Sequence, residues 1–469
     1  MGVVFPSRCF LLFLPLCVGS HEPRASGDAA AALGESRTSE LAAQLELSGD
    51  GQLHMLLEQG KQIQELFQKL ELLDSERATA TAKLQARQLN ATESLTGSEE
   101  SSDGSQIPLD YMWAILCGAL VMFMQTGFAC IEAGSIRAQS AGTMLLKNLL
   151  DMCVGTLSWF LLGYGFAYGV PADASRVNTF IGQANFASVG FLEMAGDTIV
   201  GTHHFKTWFF QWAFCTTTTT IFSGAIAERM KVGPYVVFTI VMTGFIYPVI
   251  VWWTWSGEGW ASNQGFSDFA GSAVVHLTGG ASALAGAAFI GPREGRWDKD
   301  MQDNFKPHNL GFVALGTLIL WFGWYGFNCG STLSFSDSST ATVAGLVAVN
   351  TTLSAATGGI TVLLLRLRFE LYDLQGMCNG ILAGLVAICA GAANVHPASA
   401  LAIGFFGAIA FELGCLFEAK LQIDDPVDAV AVHGFSGITG CLLRPLFDIN
   451  GVQGGMFGWH CLTVVVVAA

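Results

Sequence analysis

The sequence predicts an all-α polytopic membrane protein: eleven transmembrane helices, the last cut short, in a 5+5 inverted repeat with the N-terminus outside. An amphipathic, coiled-coil-like extension precedes them. Three observations carry that expectation. Of 469 residues, 52% are hydrophobic and only 13% charged, about half the charge of an average soluble domain. Apolar stretches approaching the roughly 20 residues that cross hydrocarbon recur from Asp110 to the end of the chain. And the stretch "DFAGSAVVH" (Asp268 to His276) has a counterpart in "DPVDAVAVH" (Asp425 to His433), each followed by a glycine-rich apolar tail.

Residues 1–20 set a basic residue, Arg8, before an apolar core too short to span, and read as a secretory signal peptide. Residues 21–108 form a polar, acidic region expected to be extracellular. Within it, Leu53, Leu56, Leu57, Ile63, Leu66, Phe67, Leu70 and Leu73 recur at helical spacing; this is an amphipathic helix with coiled-coil character, interrupted by Gly60. Asn90-Ala91-Thr92 is a glycosylation acceptor triplet, as on a translocated glycoprotein segment.

Ten full spans follow, near 110–134, 142–169, 205–227, 232–255, 268–291, 308–330, 341–365, 375–394, 397–419 and 425–446. An eleventh starts near Gly454, and the chain stops inside it at "CLTVVVVAA". The odd-numbered loops carry ten basic residues (Arg137, Arg229, Lys231, Arg293, Arg296, Lys299, Lys306, Arg366, Arg368 and Lys420), against Arg176, Lys206 and Arg444 in the even ones. The excess places the odd loops in the cytoplasm and the N-terminus outside.

The two acid–histidine stretches fall in spans five and ten. Five spans is an odd number, so a second copy crosses in the opposite sense, the arrangement of many transporters. Related by an in-plane axis, His276 and His433 would face each other near the bilayer centre, about two helical turns from their acids. A lone buried histidine is adequately explained as a neutral hydrogen-bonding residue. Two at equivalent positions suit passage of a proton with a small, protonatable substrate.

Other side chains fit the same substrate. Phe214, Trp255, Trp324 and Phe327 cluster where a pathway would begin, and an aromatic face attracts cations. Trp255 has a second reading as an interfacial anchor. The hydroxyl of Ser331 can accept a hydrogen bond from an ammonium-type ligand. Asp268 either adds negative field to an outer vestibule or caps the helix that follows.

The formal charge of −15 includes the acidic run "GSEESSDGS" and implies no nucleic-acid partner. The twelve cysteines form no CxxC or Cys/His cluster and read as small packing residues, so neither a metal nor a cofactor is expected. An intramembrane hydrolase built on "DDPVD" and a histidine lacks the further ligands of a zinc set.

The residues from Asp110 onward resemble the ammonium transporter (Amt/Mep/Rh) family, on the Amt side. The likeness lies in "FFQWAFCTTTTTIFSGAIAER", "DFAGSAVVHLTGG", "HNLGFVALGTLILWFGWYGFNCGS", "GMCNGILAGLVAI" and "DDPVDAVAVHGFSGITG", in that order. It implies a transporter domain over 109–469, a homotrimer of eleven-helix subunits each with its own pore, and residence in the plasma membrane. By motif, Trp255 and Ser331 correspond to an outer ammonium site and Asp268 to the acid that shapes it and assists deprotonation. Phe214 and Phe327 correspond to a stacked phenyl gate, and His276 and His433 to paired histidines lining a hydrophobic pore. Ammonium, and methylammonium as its analogue, would lose a proton outside, and ammonia would cross. Two neighbouring readings remain: a neutral-gas channel of the Rh type and an ammonium sensor. The acidic N-terminal region, the long second loop with its His203–His204 pair, and the short eleventh helix depart from the family pattern.

Overall fold

The computed structural model describes residues 106–195, 198–201, 203–369 and 372–469, together with Lys61 and Lys69. The signal peptide, the N-terminal acidic region with its amphipathic helix, and Asn90 lie outside the described residues, those two lysines apart.

Residues Ser102–Ala469 form one unit in which each of the eleven apolar stretches is helical. In chain order these are α1 (Gln106–Ser135), α2 (Ala138–Tyr168), α3 (His204–Ala225), α4 (Val232–Asn263, bent after Trp255) and α5 (Ser272–Ile290). There follow α6 (Leu310–Gly330), α7 (Ser338–Leu367), α8 (Leu374–Ile388), α9 (Pro397–Leu421), α10 (Val430–Leu443) and α11 (Gly454–Ala468). Among the described residues, seven are long and apolar enough to cross a membrane, α8, α10 and α11 are shorter apolar helices, and α3, 22 residues long, falls in neither group. The long second loop is not purely helical: β1 (Leu192–Ala195) and β2 (Thr198–Gly201) pair there as an antiparallel hairpin.

Glycine sets the closeness of the helices. A Cβ on Gly316 would lie 2.6 Å from the Gly127 carbonyl oxygen, and one on Gly127 would lie 2.9 Å from that of Gly316, so α1 and α6 run backbone against backbone. The same holds for α7 and α8, where a Cβ on Gly358 would meet the Gly380 oxygen at 2.3 Å. Between apolar helices with no hydrophobic drive to associate, such close approach supplies the van der Waals attraction.

Three of the boundaries that differ from the sequence reading bear on the site or on the helix bundle around it. α5 and α10 begin at Ser272 and Val430, four and five residues later than expected. Their acids lie in the extended lead-in, where Asp268 and Asp425 accept hydrogen bonds from backbone N–H groups of the coming helix. α8 ends at Ile388 rather than 394 and gives way to turns.

At one end of the bundle, four odd-numbered loops meet in an ion-pair cluster. Arg293 donates to Asp424 through Nε (2.8 Å) and Nη2 (2.9 Å), and to Glu228 through Nη1 (2.6 Å). Arg137 completes Glu228 at 2.9 Å. Burial would raise the Glu228 carboxyl, but hydrogen bonds and charge from Arg293 and Arg137 outweigh it and hold the group below the usual range. Asp424 is likewise lowered, with Arg293 and Arg229 overcoming its burial.

Candidate functional site

The lead-in to α5 shapes the upper part of the site. Gly271 has φ +106°, a left-handed conformation open to glycine, and a Cβ there would press on Val275 and on the Trp255 ring, 2.8 and 3.2 Å away. That turn aims four successive N–H groups at Asp268. Its carboxylate accepts from Gly271 and Ser272 (both 2.9 Å), Ala273 (2.7 Å) and Val274 (3.0 Å), so the first orphan donors of the helix are satisfied. Asp268 is therefore a buried cap whose carboxylate faces the helix.

The Trp255 indole N–H donates to the backbone oxygen of Asp268 at 2.7 Å, which fixes the ring. Phe214 meets Trp255 edge-on at 6.0 Å between centroids, and itself stacks on Phe327 at 3.9 Å with an 18° interplanar angle. Both phenyl rings are fully buried. Ser331 joins the set through Phe327, whose carbonyl accepts from its Oγ at 2.9 Å; the lone pairs of that hydroxyl remain able to accept.

Beyond the phenyl pair lie the imidazoles. His276 is 5.4 Å from the Phe327 ring, and its Nδ1 lies 3.1 Å from Nδ1 of His433. Two nitrogens at that distance share one proton between a donor and an acceptor. What brings them together is again glycine. A Cβ on Gly280 would lie 2.3 Å from the Gly434 nitrogen, and one on Gly437 would lie 2.5 Å from the Ser272 oxygen. The tails "LTGG" and "GFSG" are thus the crossing point of α5 and α10. Each histidine also sits in a π-helical turn, Ser272–Leu277 or Val430–Phe435, the wide coil common at functional sites.

All seven pathway residues read from the sequence thus fall into one chain of contacts, from Trp255, Asp268 and Ser331 through Phe214 and Phe327 to His276 and His433. Sequence reasoning gave no role to Cys389 and left Trp324 as one aromatic among several. Trp324 stacks on His276 at 5.2 Å, and its indole donates to the Cys389 sulfur at 3.2 Å. It also passed over Glu132, Lys147 and Asp151, all buried. Glu132 accepts from Asn148 at 3.1 Å and from the Ser223 hydroxyl. Asp151 accepts from Thr239 at 2.8 Å and from the Tyr235 hydroxyl. The rule that singled out the histidines, an ionisable group within a span, singles these out too. Among the described residues no cluster of His, Cys, Asp or Glu could hold a metal.

Many long apolar helices around a buried file of aromatic and imidazole rings define a multi-pass membrane protein. The profile of the Ammonium Transporter Family matches residues 112–466. The chain is 41% identical over 365 residues to ammonium transporter Amt2 of Archaeoglobus fulgidus, covering 75% of this chain and 74% of that one. It is 37% identical to ammonium transporter 3 of Dictyostelium discoideum, over 76% of this chain and 81% of the other. Among solved structures it superposes on a protein titled Sensor Amt Protein with a TM-score of 0.71 and 34% identity, covering 78% and 91% of the two chains. Candida albicans Mep2 gives 0.67 and 30%, covering 77% and 81%. The chain belongs to the ammonium transporter family, whose members are transporters and not enzymes.

Proposed function

We propose that this chain moves ammonium by binding the ion at an outer site, removing a proton, and conducting ammonia through a pore lined by two histidines. Trp255 supplies the cation-attracting face and Ser331 the accepting hydroxyl. Asp268 holds Trp255 and the α5 N-terminus in place, and its negative charge favours the cation. Phe214 and Phe327 form the gate, whose rings swing apart for a molecule to pass. A buried imidazolium would cost several kcal/mol in such a setting, so neutral His276 and His433 exchange a proton along their shared hydrogen bond. The observation that carries this reading is the 3.1 Å contact between the two Nδ1 atoms directly beyond the stacked phenyl pair.

The same reading places eleven spans as two inverted five-helix units. The α5 and α10 pair support it, with matching acids, π-turns and histidines. It puts the N-terminus outside, the ion-pair cluster of the odd loops in the cytoplasm, and a homotrimer in the plasma membrane. Ammonium and methylammonium uptake in cells stripped of their own transporters tests it. Restored uptake that disappears in His276→Asp and His433→Ala, with both variants still at the membrane, is the expected result. Wild-type uptake in both would refute the histidine pathway. Likeness to a structure titled Sensor Amt Protein favours one second reading, a sensor, in which ammonium binds without measurable transport. An Rh-type neutral channel would show uptake with no ammonium-evoked current.

A further inference from the structure

We propose that Glu132 is the inner proton-exchange residue of this pathway, taking the proton delivered through His433 and giving it to departing ammonia. The inference rests on the reading above, in which a proton passes between the histidines. Beyond His433, on the side away from Trp255, the structure has a partly open cavity of about 20 Å³ lined by His433, Phe128, Thr220, Leu382, Val427 and Glu132 among others. It has room for one guest of the size of water or ammonia. Its two titratable lining residues are His433 and Glu132, 4% and 2% exposed. One small space therefore has both the His433 side chain and the Glu132 side chain in its lining.

Two residues bonded to the cavity lining are left with unpaired polar atoms. Gln125 Oε1 accepts from Thr220 at 2.7 Å, yet the Gln125 Nε2 donor is buried without a partner among the described residues. Asn148 donates to Glu132, yet its Oδ1 is buried and has no partner among the described residues. Such orphaned groups are rare in folded proteins and call for an explanation; each sits one hydrogen bond away from a residue that lines the cavity, Thr220 or Glu132. A purely structural carboxyl at 132 would need only the Ser223 and Asn148 contacts; a glutamine could accept from Asn148 and donate its NH2 to the Ser223 hydroxyl instead.

The step balances as two transfers. His433 receives a proton at Nδ1 from His276 and releases the one on Nε2, through a water in the cavity, to the Glu132 carboxylate; the imidazole is left neutral with its tautomer reversed. The Glu132 carboxylic acid then protonates ammonia, which leaves as ammonium and restores the carboxylate. The charged neighbours are set around this exchange. Lys147 and Asp151 act on Glu132 from α2, and Asp428 accepts from the cavity residue Asn379 at 2.8 Å.

The test uses the full chain in liposomes, with ammonium-evoked current recorded while the pH at the inner face is varied. Glu132→Gln is expected to lower the current by at least about tenfold, in line with removal of a positioned acid, and to flatten its dependence on inner pH. Glu132→Asp should recover part of both. A Glu132→Gln current and inner-pH profile matching wild type, with His433→Ala inactive, would overturn the role of Glu132 and leave the histidine pathway standing. Should Glu132→Gln fail to fold, the Glu132→Asp profile decides: a displaced midpoint supports the exchange and an unmoved one refutes it. No current from a wild-type protein that still takes up ammonium would refute proton passage between the histidines, and this inference with it.

Discussion

Two imidazoles joined through their Nδ1 atoms at 3.1 Å hold opposite tautomers, one Nδ1–H and the other Nε2–H, as long as both are neutral. Passage of a proton reverses both tautomers, so every transit needs a reset. His276 and His433 were legible in the sequence because the same eight-residue spacing from an acid occurs twice in apolar surroundings, and a chance histidine carries no such echo. The direction of the Asp268 carboxylate was not legible, since an acid before a helix is equally compatible with a vestibule and with a cap. Its four backbone partners set the expected outcome of substitution. Asp268→Ala should lower stability by roughly 2–4 kcal/mol, because charge-assisted hydrogen bonds are among the stronger ones and buried donors would be left unpaired. Asp268→Asn, with one accepting oxygen, should fall between. Thermal denaturation of the purified protein in detergent gives the order; an alanine variant as stable as wild type would deny the cap its importance.

At the scale of helices, the crossing of α5 and α10 is asymmetric in a way that substitution can detect. A Cβ on Gly280 runs into the Gly434 backbone at 2.3 Å, whereas one on Gly434 meets nothing nearer than 3.7 Å. Gly280→Ala should push the helices apart, separate the imidazoles and abolish uptake, while Gly434→Ala should leave uptake near wild type. Equal effects of the two would mean that this contact does not set the histidine geometry. Helix positions were legible from apolar run length, but helix starts and coil type were not. The π-turns at Ser272–Leu277 and Val430–Phe435 have no composition of their own. The strands Leu192–Ala195 and Thr198–Gly201 are too short for an alternating pattern to stand out from a loop. Glu132, Lys147 and Asp151 were in plain view, hidden only because their spans were read for apolar length.

For the whole molecule, the cluster of Arg137, Glu228, Arg293 and Asp424 ties together loops far apart in sequence. Glu228 and Asp424 have lowered pKa values in the folded state. Their contribution is therefore present above the ordinary carboxylate pKa near 4 and is lost as pH falls below it. The melting temperature should drop on acidification through that window, and less so in a Glu228→Gln, Asp424→Asn double variant; an identical pH slope in both proteins would contradict this. Arg293→Met leaves two buried carboxylates short of a partner and should destabilise by about 3–5 kcal/mol, visible as loss of folded protein at the membrane.

The shared proton between the imidazoles is open to direct observation by nitrogen NMR on histidine-labelled protein in bilayers. A coupling between His276 Nδ1 and His433 Nδ1, carried by one hydrogen and lost in His433→Ala, is the predicted result. Two uncoupled rings, each protonated at Nε2 or titrating independently, would contradict the account.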